Sequence, residues 1–293
     1  MSSSIRSIKW YISHFPEAMF PCVRTYFTQY VDYILNGYEC ARESNIVICG
    51  LARNLEKVLP YTIARVERLG EFFKNYHVFI FENDSTDSTK SILTAWTRSN
   101  IHITVSCNNY GRQQHGSNCT LERTVDMAFY RNQYLSFVKQ WLRNHVCDYV
   151  CVIDCDLYGG WSYEGVLNTL GHPSWDVVTA NGLYYRQTDG KSERLYMDAW
   201  AYREVGHEQA HEQPPINRLR FERGEPLHHI WSGFGGMAWY KADIITDDIE
   251  YKAGDCDHPT LHKQLRDKCC DRIYVNPSLI TIYNPTDYVK VVA

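Results

Sequence analysis

No run in this 293-residue sequence approaches the about 20 consecutive apolar residues that a bilayer-spanning helix needs. Residues 1–8 lack the charged-then-apolar layout of a secretory leader, so a soluble chain in the cytoplasm is expected. Strong charge of either sign is also missing. A formal net charge of −4 gives no general attraction to nucleic acid or to an anionic membrane surface, which removes both as default partners. There is no internal repeat and no low-complexity tract, so nothing argues for a stacked-repeat architecture. A Gly-rich, basic phosphate loop is absent too. The first strand-like run leads into Cys49-Gly50-Leu51-Ala52-Arg53-Asn54, with one glycine, which argues against a sugar-1-phosphate nucleotidyltransferase.

What is present points to a single large core. The sequence is 44% hydrophobic and 14% aromatic, and its length suits one domain better than two independent ones. The eleven cysteines are odd in number. Cys49, Cys151 and Cys155 fall in or beside runs that read as buried strands, where a free thiol behaves as a small hydrophobe, and this favours a reducing compartment. N-x-[ST] sequons occur at Asn83 and Asn118. Asn83 belongs to a loop that is read below as facing a nucleotide, where a glycan would obstruct the site.

Periodicity divides the chain. Residues 1–44 carry Trp10, Phe15, Phe20, Tyr26, Tyr30, Tyr33 and Ile34 at loosely helical spacing and are expected to form an N-terminal helical extension packed on the body. From residue 45, apolar runs at 45–51, 77–81, 101–106 and 148–153 alternate with amphipathic stretches at about 54–73, 86–98 and 121–144. That order predicts βαβ units, hence an α/β fold with a mostly parallel central sheet of Rossmann type flanked by helices. Asn54 and Thr86 or Asp87 are candidate helix caps. Residues 45–160 read as one half with a nucleotide-binding layout and residues 161–293 as a second; the resemblance drawn below implies that the first binds a nucleotide sugar and that the second binds the acceptor and carries catalysis. The stretch 182–224 is polar and contains Pro214 and Pro215, and it is expected to be a long loop or flap.

Chemistry concentrates where the fourth strand ends. Val150-Cys151-Val152-Ile153 is an apolar run that emerges into Asp154-Cys155-Asp156. Open parallel sheets bind ligands at the carboxyl ends of their strands, and two carboxylates one residue apart can hold a hard cation such as Mn²⁺ or Mg²⁺ while leaving positions open for phosphate oxygens. The second strand ends similarly, in Glu82-Asn83-Asp84-Ser85-Thr86-Asp87-Ser88-Thr89, whose residue types also suit an ordinary strand-to-helix turn.

Taken in order, Ile48 to Asn54, Phe81 to Thr89, Arg131-Asn132-Gln133-Tyr134-Leu135 and Val152 to Asp156 resemble the signposts of GT-A glycosyltransferases. Three further stretches, Ser232-Gly233-Phe234-Gly235-Gly236-Met237-Ala238-Trp239-Tyr240, Asp255-Cys256-Asp257-His258 and Ile273 to Ser278, are similar to the Cap59-like family of fungal capsule mannosyltransferases. The resemblance covers about residues 45–285. It implies a nucleoside-diphosphate sugar donor, a hydroxyl acceptor and a divalent cation held by Asp154 and Asp156, with a hexose such as mannose transferred. It also implies that Ala52 and Arg53 line the base and ribose, that Glu82 or Asp84 accepts from the base, and that Arg131 approaches the diphosphate. The segment departs from the commoner Asp-Asp-Gly-Ser form, which leaves the choice between Glu82 and Asp84 open. Gly235 and Gly236 would admit a sugar or phosphate close to the backbone. Asp257 or Asp255 would deprotonate the acceptor, and His258 and His262 are candidates to complete the metal shell.

Two other readings start from the same residues. His207-Glu208-Gln209-Ala210-His211 matches the zinc-protease signature H-E-x-x-H, but Gly206, Pro214 and Pro215 surround it, where that chemistry requires a stable helix. A non-catalytic nucleotide or sugar binder on the same fold is the other, since fold does not fix function.

Overall fold

The computed structural model describes residues 14–116, 120–189, 191–209 and 213–284. Strand β1 (Asn45–Ala52) sets the frame. Its alternation sends Ile46 and Ile48 into one hydrophobic core and Val47 and Cys49 into another on the opposite face. Strand β4 (Tyr149–Asp154) repeats the pattern, with Cys151 and Ile153 on the first side and Val150 and Val152 on the second. A strand buried on both faces needs helices on both, and the segments before and between the strands supply them. These are α1 (Phe27–Glu43), α2 (Leu59–Gly70), α3 (Thr89–Ser99), α4 (Leu121–Asn144) and α5 (Tyr163–Gly171). With β2 (Asn75–Asn83) and β3 (Ile103–Asn108), the first four strands run parallel in the order β3-β2-β1-β4.

The second half continues the same sheet. After the short β5 (Gly160–Trp161) come β6 (Val177–Thr188), β7 (Lys191–Tyr196), helix α6 (Gln213–Asn217), β8 (His228–His229), β9 (Met237–Lys241), helix α7 (Asp257–Arg266) and β10 (Ile273–Ile282). Strand β9 is inserted antiparallel between β4 and β6, and β10 pairs parallel with β6. The α/β class and mostly parallel sheet expected from the sequence are observed, and one continuous sheet carries both halves.

Three expectations shift. Helix α2 begins at Leu59, so Asn54 does not cap it; its side chain instead accepts from the Thr86 N–H at 2.9 Å and ties the exit of β1 to the exit of β2. Asp87 does satisfy the first N–H of α3, accepting from Thr89 at 3.0 Å, and it also accepts from Glu56 N at 3.0 Å. The strand expected at 101–106 runs two residues later. The polar stretch 182–224 is partly a hairpin: β6 extends to Thr188 and β7 returns antiparallel along it, because Leu183, Tyr185, Leu195 and Tyr196 are buried on the sheet.

The N-terminal extension joins the body through two glycines. A Cβ at Gly37 would lie 1.7 Å from the Leu167 carbonyl oxygen, and one at Gly171 would lie 1.9 Å from that of Tyr33, so α1 and α5 pack backbone against backbone. Glu17 adds a second tie. It pairs with the buried Arg223 and accepts from Ser162 Oγ at 2.8 Å, while Tyr30 donates to Glu164 at 2.8 Å. Trp10 and the sequon at Asn118 lie outside the described residues.

Candidate active site

The carboxyl ends of β1, β2 and β4 open on one edge of the sheet, and a cleft of about 290 Å³ lies there. Its walls include Ala52 and Arg53 from the end of β1, Asn83 from β2, Arg131 from α4, Asp154 and Asp156 from β4, and Asp257 and His258 from the first turn of α7. Chain segments more than 200 residues apart therefore meet as the sequence motifs require.

Arg131 organises the centre. It is 5% exposed, pairs with Asp257 through Nε, lies 3.8 Å from Asp154 Oδ1 and donates to the Tyr134 hydroxyl at 3.1 Å. Burial works against its charge, but Tyr134, Asp154 and Tyr251 together hold it above its ordinary basicity. Its guanidinium carbon sits 5.1 Å from the centre of the Phe234 ring. A permanently charged fork is thus fixed at the floor of the cleft.

The acids around it are crowded. Burial first, then the neighbouring Asp156 carboxylate, pushes Asp154 up to about 7, with Arg131 opposing and Asp198 adding to the rise. Tyr283 donates to Asp154 at 3.3 Å, and the Asp154 N–H is held by the Gly236 carbonyl at 2.9 Å. Asp198 is the residue that sequence reasoning missed. It lines the cleft on the turn after β7, accepts from the Gly235 N–H at 2.9 Å, and is pushed up to about 6 chiefly by burial. The available signal was a lone carboxylate between Tyr196 and Trp200.

His258 and His262 separate. His258 stacks on Phe234 with ring centres 3.8 Å apart, lines the cleft and stays neutral because burial, Arg131 and His262 all disfavour its charge. Its Nδ1 meets the Tyr240 hydroxyl at 3.3 Å, and its buried Nε2 has no hydrogen-bond partner among the described residues. His262 has both nitrogens engaged, Nδ1 with Ser232 at 2.9 Å and Nε2 with Tyr240 at 3.1 Å, so it has no nitrogen left for a metal.

The other expected residues also divide. Arg53 donates to the Arg112 carbonyl at 2.7 Å, and its buried Nε has no partner among the described residues. Glu82 is fully buried and closes its own turn by accepting from Ser85 N at 2.8 Å, which takes it off the cleft wall. Asp84, at φ 55°, accepts from the N–H groups of Tyr110 and Gly111 at 2.7 and 2.8 Å. It thereby pins the loop that brings Gln113, Gln114 and His115 to the cleft. Asn83 is 3% exposed and donates to Asp84, leaving no room for a glycan on the folded chain. Asp255 pairs with the buried Arg203 at 2.9 Å and does not line the cleft, in contrast to Asp257. Gly235 and Gly236 adopt φ of 63° and 83° and pack against Ala180, Leu157 and Tyr283, so their freedom serves a turn behind the cleft. Residues 207–209 of the H-E-x-x-H match are bridge and bend with no helix, which removes the scaffold a zinc protease requires; His211 lies outside the described residues.

The carboxylates of Asp154 and Asp156 are oxygen donors of the kind that a hard divalent cation takes. Among the described residues no three His, Cys, Asp or Glu side chains converge to hold an ion unaided. All ten described cysteines are free thiols, and no described helix is long and apolar enough to cross a membrane.

No family model and no curated protein sequence matches this chain. Among solved structures it is similar to the mannosyltransferase PcManGT from Pyrobaculum calidifontis in complex with GDP-Man and Mn²⁺, at 11% identity and TM-score 0.49 over 88% of this chain and 65% of that one. It is also similar to S. aureus TarS 1–349 in complex with UDP-GlcNAc, at 13% identity and TM-score 0.46 over 85% and 61%. A third is glucosyl-3-phosphoglycerate synthase from Mycobacterium tuberculosis in complex with Mn²⁺, UDP and phosphoglyceric acid, at 15% identity and TM-score 0.45 over 88% and 77%. The chain thus spans less than two thirds of the length of the first two.

Proposed function

We propose that this chain is a glycosyltransferase that moves a hexose, such as mannose, from a nucleoside-diphosphate sugar to a hydroxyl acceptor, using Mn²⁺ or Mg²⁺ at Asp154 and Asp156. The observation that carries the reading is the convergence of Arg131, Asp154, Asp156 and Asp257 in one cleft at the carboxyl edge of the parallel strands. Buried polar atoms rarely go unpartnered. Arg53 Nε at the β1 side and His258 Nε2 at the α7 side are both left so, which suits a polar ligand spanning the cleft.

Asp154 and Asp156 would hold the cation, its remaining positions being left to phosphate oxygens and water. When bound, the cation supplies positive charge to the leaving diphosphate. Arg131 supplies the same kind of charge from the protein, already oriented by Tyr134 and Asp257, so little reorganisation accompanies bond cleavage. Ala52, Arg53 and Asn83 would face the nucleoside, and the loop pinned by Asp84 would cover it. Asp257, which lines the cleft, would take the acceptor's proton, and Asp255 serves as the partner of Arg203.

Release of nucleoside diphosphate from GDP-mannose and from UDP-hexoses, followed with and without Mn²⁺, tests the reading. Metal-dependent release is expected, and Asp257→Asn should lower turnover on the order of a hundredfold with little change in KM. Full activity in Asp257→Asn would remove the catalytic assignment.

A further inference from the structure

Asp198 belongs to a stretch that the proposed chemistry has not used. It sits at φ 86°, a conformation that side chains other than glycine rarely adopt, on a turn that its surroundings hold rigidly. Ala201 and Tyr202 donate back to its carbonyl at 3.2 Å each, Met197 N binds the Gly182 carbonyl at 2.8 Å, and Arg203 N binds that of Ser232 at 2.9 Å. The turn therefore presents two cleft-lining side chains in fixed positions: the Asp198 carboxylate and the ring of Trp200, over which Arg123 lies at 5.0 Å. Gly235 N–H takes up only part of what a carboxylate can accept. In the same cleft, His258 Nε2 is buried and unpartnered, an independent sign that a polar ligand belongs there.

We propose that Asp198 is a sugar-binding residue: its carboxylate accepts hydroxyl groups of the hexose carried by the donor, with the Trp200 ring forming the adjoining apolar wall. The inference rests on the glycosyltransferase reading and goes beyond it by naming what recognises the sugar as opposed to the nucleotide. A carboxylate acceptor beside an indole suits a pyranose, whose ring has polar edges and less polar faces. Asp198 follows β7 in the second half of the chain, whereas Ala52, Arg53 and Asn83 belong to the first, so the nucleoside and the hexose would be read by different segments lining one cleft.

Paired titrations of the wild type, Asp198→Asn and Asp198→Gly separate this role from others. Asparagine keeps an acceptor for Gly235 and tolerates positive φ, so Asp198→Asn leaves the turn's contacts in place, whereas Asp198→Gly suits the positive φ but deletes the side chain and with it the acceptor of the Gly235 N–H. Each protein is titrated, with Mn²⁺ present, with GDP and GDP-mannose and with UDP and UDP-glucose. For whichever pair the wild type binds, the diphosphate affinity should stay within about twofold in both variants. Affinity for the sugar nucleotide should fall about tenfold in Asp198→Asn and further in Asp198→Gly, as expected for losing a hydrogen bond to a charged group. Equal weakening of diphosphate and sugar nucleotide would overturn the proposal and assign Asp198 to the cation and phosphates, and no weakening of either would reduce it to a structural turn. A wild type that binds none of the four compounds overturns the glycosyltransferase reading itself, and this inference with it.

Discussion

At the scale of single residues, the crowding of acids has a consequence for stability. The Asp154 carboxyl titrates at about 7 in the fold against 3.8 for an unperturbed group, because burial and Asp156 disfavour its charge. Between those values the folded state holds more protons than the unfolded state, so ligand-free stability falls as pH rises through that window. Asp198, at about 6, adds to the same slope. Chemical denaturation of the wild type and of Asp154→Asn in the presence of EDTA should therefore show the wild type losing ground to the variant as pH rises from about 4 to about 7. Saturating Mn²⁺ should close that gap for the wild type alone. A wild-type-minus-variant difference that stays flat with pH would show that Asp154 is ionised without strain.

At the scale of elements, continuous apolar runs were enough to place β1, β2 and β4, because such strands are buried on both faces, and the amphipathic stretch at 121–144 was enough to place α4. The β6–β7 hairpin is less legible, although the sequence holds a signal for it: the dipeptide Asp189-Gly190 favours tight hairpin turns, but the polar residues flanking it suit a loop equally well. The cap expected at Asn54 failed for a different reason. Asn54 has the right chemistry for capping, but the strand exits are close enough that its side chain bridges to the neighbouring loop, a relation that local sequence does not contain. Within the site, Asp154, Asp156, Arg131 and Asp257 were legible from motif order. Asp198 was not, because its position depends on a hairpin and a positive-φ turn. The α1–α5 contact gives a test at this scale. Replacing Gly171 with Ala inserts a methyl group where a backbone oxygen lies 1.9 Å away. Overpacking of this kind costs about 1–3 kcal/mol, and urea unfolding should show at least that loss. Unchanged stability would mean the helices are not held at that separation.

At the scale of the whole molecule, the buried contacts between the N-terminal segment and the second half of the sheet predict that the two unfold as one cooperative unit. Arg223 is buried and is neutralised by Glu17, whose side chain is 21% exposed, and by Glu164. Removing one partner of a buried pair strands a charge, and with Glu17 part-exposed the expected cost of Glu17→Ala is about 2–4 kcal/mol, in a single unfolding transition. Separate transitions for the N-terminal segment and the body would contradict that unity. The same sheet that absorbs this segment delivers β1, β2 and β4 to one edge, and the account stands or falls on what binds there. Calorimetric titration of GDP and UDP into the wild type and Asp154→Ala, each with Mn²⁺ and with EDTA, tests it most directly. One of the two diphosphates should bind the wild type in the presence of Mn²⁺ and lose most of its affinity in EDTA and in Asp154→Ala, while the variant keeps its fold by circular dichroism. Equal binding with and without the metal, or undiminished binding to Asp154→Ala, would contradict the claim that Asp154 and a cation hold the donor.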